Sequence, residues 1–138
     1  MQADKKTHAE VKALWEQWLQ TYCKKDAANL LRLCTNDPDL TLIGTTDADI
    51  CVGPDGVRTG LERDFCEFDS AELATDGLRI SASGNVAWLS GQCGGLVRAE
   101  GEKLKFEGRV TAVFERRGGN WFVAQVHVSS PAASTGEP

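Results

Sequence analysis

Residues 104–129 read LKFEGRVTAVFERRGGNWFVAQVHVS, two long runs on either side of Arg117-Gly118-Gly119-Asn120. Both runs are rich in Val, Phe, Thr and Trp, and Gly and Asn are turn residues, so the stretch predicts a β-hairpin. Its even positions are Val110, Ala112, Phe114, Phe122, Ala124, Val126 and Val128; its odd positions include Arg109, Thr111, Glu115, Gln125 and His127. Strand side chains alternate between faces, which predicts one apolar face and one polar row. A lone hairpin cannot bury an apolar face, so the remainder of the chain must cover it.

The cover begins at the N-terminus. Val11, Leu14, Trp15, Trp18, Leu19 and Tyr22 follow helical spacing, with Lys12, Glu16, Gln17 and Gln20 facing away. Lys24-Lys25 stand where cations favour the helix dipole. Asp26 is placed to cap a second helix, Ala27 to about Cys34, which Asn36-Asp37-Pro38 ends. Leu40–Ile43 predicts a short strand, and Gly44 to Gly53 a loop. A third helix starts near Pro54, with Val57, Leu61, Phe65 and Phe68 as its stripe. From residue 70 the pattern changes to strands: Leu73–Ser83, a turn at Ser83-Gly84-Asn85, Val86–Cys93, a turn at Ala99–Glu102, then the hairpin. Helices followed by antiparallel strands predict an α+β fold, with the helices on one face of the sheet.

The 138 residues suit one domain, placed at residues 1–131, with 132–138 as a polar, disordered tail. A hydrophobic share of 41 % is ordinary for a globular protein, and a net charge of −5 disfavours a nucleic-acid surface. The N-terminal segment lacks a secretory h-region, and no stretch is apolar over the length of a membrane span. Five scattered cysteines without a C-x-x-C pair suit reduced, buried thiols in a cytoplasm. Two distant histidines supply no metal cluster, and no cofactor motif is present.

The chain resembles the NTF2-like superfamily, in particular its SnoaL-like branch, over roughly residues 8–131. The resemblance lies in the aromatic first helix with Tyr22 and Asp26, in Asp37–Gly44, and in Gly53-Pro54-Asp55-Gly56-Val57-Arg58. It continues through Leu61–Phe65, Val86-Ala87-Trp88, Gly108–Thr111, Gly119-Asn120-Trp121 and the ending Gln125-x-His127-x-Ser129. It implies a cone: a curved antiparallel sheet with three N-terminal helices packed over its concave face, and a homodimer through the outer face. The association domain of calcium/calmodulin-dependent protein kinase II is a more distant look-alike, near Cys34–Leu42 and along the last hairpin. The superfamily hosts isomerases, cyclases, dehydratases, transport factors and oligomerisation modules, so fold does not fix function.

Parity then assigns the interior. Ala112, Phe114, Val126 and Val128 are expected inward, with Trp88, Ser90 and Gln92 from the preceding strand and Trp15, Trp18, Tyr22, Leu61 and Phe65 from the helices. Such an interior can hold a small hydrophobic or amphipathic molecule or can be a filled core. Arg109, Thr111, Gln125 and His127 are expected outside as a dimer interface; with a three-residue loop, Arg117 to Gly119, Arg109 would face His127 and Thr111 would face Gln125. A β-bulge would instead turn them into the pocket. Isomerases and cyclases of this type use a carboxylate base in an apolar pocket. Asp64 beside the third-helix stripe, and Asp47 and Asp49 near the mouth, are the available carboxylates, none within a transferable motif. Three functions remain open: a cytoplasmic small-molecule binder; an isomerase, cyclase or dehydratase; and an interaction module with a filled cone.

Overall fold

The structure, a computed structural model, describes residues 1–46 and 49–131. Asp47 and the expected 132–138 tail lie outside the described residues. Three helices, α1 (Lys5–Cys23), α2 (Ala27–Arg32) and α3 (Gly53–Cys66), accompany six strands: β1 (Thr41–Ile43), β2 (Ile50–Val52), β3 (Ser70–Ser83), β4 (Val86–Ala99), β5 (Glu102–Arg117) and β6 (Asn120–Ser129). The strands form one curved, unclosed sheet in the order β2-β1-β6-β5-β4-β3. All neighbours are antiparallel except β1 and β6.

Local chemistry explains the helix ends. The Asp4 carboxylate accepts from the Thr7 amide at 2.8 Å, and Asp26 accepts from the Asn29 amide at 3.1 Å, each satisfying an orphan donor of a first turn. Pro54 occupies the first turn of α3, where its missing N–H costs nothing. Lys24-Lys25 lie just beyond α1. Lys25 takes φ 60° and carries its ammonium to the Phe68 carbonyl at 2.7 Å, joining the end of α1 to the segment after α3.

The hairpin turn is tighter than expected. Arg117 pairs with Asn120, leaving Gly118-Gly119 as a two-residue turn at φ 56° and 83°, the left-handed values that such a turn demands. A bulge then inserts Ala124 into β6, between the pairs Phe114↔Val123 and Val113↔Gln125. Parity flips there. Trp121 and Val123 are buried, while Phe122 and Ala124, expected on the apolar face, are only half-buried on the other side. Beyond the bulge the expected face holds: Val110, Ala112 and Val126 are buried, and Arg109, Thr111, Gln125 and His127 are exposed. The expected cross-strand pairs are corrected by the same two features. Arg109 pairs with Ser129, Thr111 with His127 and Val113 with Gln125.

Two further corrections concern the neighbouring strands. The Gly44–Gly53 segment contains β2, whose three residues pair with β1 but are too few to show alternation. On β4 the inward residues are Ala87, Leu89 and Cys93; Trp88, Ser90 and Gln92 lie on the outer face, opposite Val113, Thr111 and Arg109. The strand is apolar on both sides at its start, and the bulk of Trp88 does not set its direction; pairing with β5 does. Gly95, at φ 153°, lets β4 cross β3 so closely that a Cβ there would collide with the Glu72 carbonyl. A register shift between Asp76 and Arg79 adds a second irregularity to this pair, and such irregularities increase strand bend and twist.

The core lies between the concave face and the helices. Trp15, Leu30, Leu61, Leu89, Phe114 and Val123 are among its fully buried members. The Trp121 indole N–H donates to Glu10 at 3.3 Å, tying α1 to the last hairpin as their complementary apolar stripes predict. No described helix is long and apolar enough to cross a membrane.

Candidate functional site

The helices do not fill the cone. A partly enclosed cavity of about 200 Å³ lies between α1, α3, the β1–β2 segment and the concave sheet. An apolar cavity of roughly 150 Å³ accommodates one benzene ring, so this space is large enough for one ring.

One wall is built by the periodicity of α1. Trp15, Trp18 and Tyr22 recur every three or four residues and so share a face. Their rings run nearly parallel, with centroids 5.2 Å apart from Trp15 to Trp18 and 5.9 Å from Trp18 to Tyr22. Phe68 continues the series 6.0 Å from Tyr22, and Phe65 meets Tyr22 edge-on at 5.3 Å. The sheet supplies the opposite wall through Leu73, Cys93, Val97, Phe106 and Val128. Around these apolar walls stand Thr45, Thr46, Asp49, Arg63, Asp64 and Glu67.

The expected lining residues thus divide. Trp15, Trp18, Tyr22 and Val128 border the cavity. Leu61, Phe65 and Ala112 are buried in the core beside it. Trp88, Ser90 and Gln92 are on the other side of the sheet, with the row Arg109, Thr111, Gln125 and His127. Among the described residues no cluster of His, Cys, Asp or Glu is arranged to hold a metal ion.

Asp64 is the chemically distinct member. It sits on α3 three residues after buried Leu61, at the edge of the apolar stripe, and is half-buried. The Tyr22 hydroxyl donates to its Oδ2 at 3.3 Å. The adjacent Arg63 does not pair with it; the guanidinium reaches Asp49 Oδ1 at 2.7 Å. Burial, and next the negative charge of Asp49, push the Asp64 carboxyl up to about 6; the hydrogen bond from Tyr22 partly offsets this. Burial and then the Asp64 charge raise the Tyr22 phenol above its ordinary value, so it stays protonated as a donor. The thiols behave differently. Burial pushes Cys93 up to about 11, leaving it protonated and a poor nucleophile. Cys34 and Cys93 are buried as expected, whereas Cys66 is exposed.

Asp49 lines the cavity as its loop position suggested; Arg63 and Glu67 were invisible as site residues in the sequence, because only the folded loop and α3 bring them together. Asp64 had one legible signal: a carboxylate at a position in register with Val57 and Leu61 on an amphipathic helix.

A model of the SnoaL-like domain family matches residues 11–133, and the chain belongs to that family. Solved structures agree on the fold. A nuclear transport factor 2 (NTF2-like) superfamily protein from Salmonella enterica superposes with a TM-score of 0.84 at 20 % identity, covering 99 % of each chain. A candidate dehydratase of the NTF2-like family from Streptomyces avermitilis gives 0.84 at 14 % identity, covering 94 % of this chain and 100 % of that one. A candidate calcium/calmodulin-dependent protein kinase II association domain from Xanthomonas campestris gives 0.78 at 19 % identity, covering 90 % and 87 %. No curated protein matches the sequence.

Proposed function

We propose that the cavity binds a small hydrophobic or amphipathic molecule and that Asp64 moves a proton on it, in an isomerisation, cyclisation or dehydration. One observation carries this reading: Asp64 is a half-buried carboxylate on an apolar wall, without a cation of its own, with a carboxyl pushed up to about 6. A base is most useful when its pKa approaches the working pH. In this role Asp64 takes a proton from carbon beside a carbonyl and returns it elsewhere, or assists loss of a neighbouring hydroxyl. Tyr22, held against Asp64, orients the carboxylate. The likeness to a candidate dehydratase supports the class of chemistry. A filled interaction module is disfavoured by the open space of about 200 Å³.

In the same proposal the chain is one domain over residues 1–131, works in the cytoplasm without a cofactor, and forms a homodimer. Arg109, Thr111, Gln125 and His127 provide polar contacts across the outer sheet face. The test is a panel of one- and two-ring β,γ-enones and β-hydroxy ketones, followed by ultraviolet absorbance and by deuterium uptake from D₂O. Turnover by the wild type that falls at least about 100-fold in Asp64→Asn, the lower range of general-base contributions, supports the proposal. Turnover unchanged in Asp64→Asn rules it out.

A further inference from the structure

We infer that the cavity selects a ring-bearing amine, bound with its ring against the aromatic wall and its ammonium among the carboxylates at the mouth. The inference rests on the proposal that the cavity takes a small molecule, and adds the charge of that molecule. It follows from the ionisable side chains around the cavity. Asp49, Asp64 and Glu67 are carboxylates, and Arg63 is the single cation among the described lining residues. Arg63 is committed to Asp49 at 2.7 Å, and the Asp49 side chain is the more buried partner, 16 % exposed against 45 %. Lys25, which touches the lining residue Phe68, is outside the lining; its ammonium is held by the Phe68 carbonyl at 2.7 Å and rests 5.2 Å from the Phe68 ring centroid.

Two carboxylates, Asp64 and Glu67, therefore remain without a cation beside an apolar space. Field lines concentrate in such a cleft, because its walls are less polarisable than water. An anionic headgroup entering it would meet two like charges and no unpaired donor cation. A neutral molecule would gain only apolar contact and a hydrogen bond. An ammonium would gain both carboxylates as acceptors while its ring is buried. The arrangement is also selective by repulsion, since it excludes carboxylic acids of the same shape. The overall charge of −5 acts in the same direction at longer range.

The experiment compares three probes of matched shape at pH 7.5 and low salt: 2-phenylethylamine, 2-phenylethanol and phenylacetate. Binding is followed by tryptophan fluorescence, which Trp15 and Trp18 on the cavity wall report, and by calorimetry. The expected order is amine, alcohol, acid. The amine should bind about tenfold more tightly than the alcohol, which corresponds to roughly 0.7 kcal/mol from each of two partly screened carboxylates. Glu67→Gln, a change at an exposed position, should reduce the ratio of amine to alcohol affinity about threefold, and an unchanged ratio counts against the charge inference. Alcohol or acid binding as tightly as the amine overturns the charge inference while the small-molecule proposal stands. Absence of binding by all three overturns both.

Discussion

Replacing Asp64 by Asn should make the protein more stable at neutral pH, and the gain should depend on pH in a defined way. The carboxyl titrates near 3.8 in an unfolded chain and near 6 in the folded one. The folded state therefore holds this proton more strongly. Well below 3.8 both states are protonated and Asp64 imposes no penalty; the penalty accumulates as pH rises from 3.8 to about 6, above which the folded state carries the charge in an unfavourable place. A shift of about two units corresponds to roughly 3 kcal/mol at most. Asp64 is only half-buried, and solvent screening lowers this to about 1–2 kcal/mol. The Tyr22 contact, at 3.3 Å, is long and can be kept by the Asn oxygen, so its loss subtracts little. Urea unfolding of wild type and Asp64→Asn between pH 4 and 8 measures the difference directly. It should be smallest at pH 4, grow towards pH 6 and level off at about 1–2 kcal/mol in favour of Asn. A difference that is constant with pH, or that favours Asp at pH 7, would refute the reasoning.

Other outcomes follow from packing. Leu61 is fully buried in the core, so Leu61→Ala should cost about 2–5 kcal/mol in chemical denaturation. Gly95→Ala should destabilise by about 2 kcal/mol or more, seen as a lower midpoint, since its Cβ would strike the Glu72 carbonyl at a φ that alanine avoids. Val113→Asp, on the outer face opposite Trp88 and Gln125, should turn a dimer into a monomer by light scattering with little change in circular dichroism. A monomeric wild type would remove the dimer proposal.

The sequence made the framework legible wherever one period extended over many residues. The α1 stripe from Val11 to Tyr22 and the alternation Val110-Ala112-Phe114 each specify a buried face without tertiary information. Local exceptions were silent. Ala124 looks like any strand residue, yet its bulge reverses the direction of the three residues Trp121–Val123. Trp88 lies on a strand with apolar residues on both faces, where alternation cannot choose a side. β2 is too short to show a period. The site was less legible still, because its chemistry depends on burial of a single carboxylate and on where Arg63 points. The position of Asp64 beside Leu61 gave the hint; its environment is made by Tyr22, 42 residues earlier, and by Asp49.

The ionisation of Asp64 is the quantity on which the proposed chemistry turns. A ¹³C-detected NMR titration of the side-chain carboxyl, in wild type and Tyr22→Phe, reads it without any ligand. The expected midpoint is about 6 for the wild type, moving higher when the Tyr22 donor is removed. A wild-type midpoint near 4, unmoved in Tyr22→Phe, would mean an ordinary solvated aspartate and would contradict it.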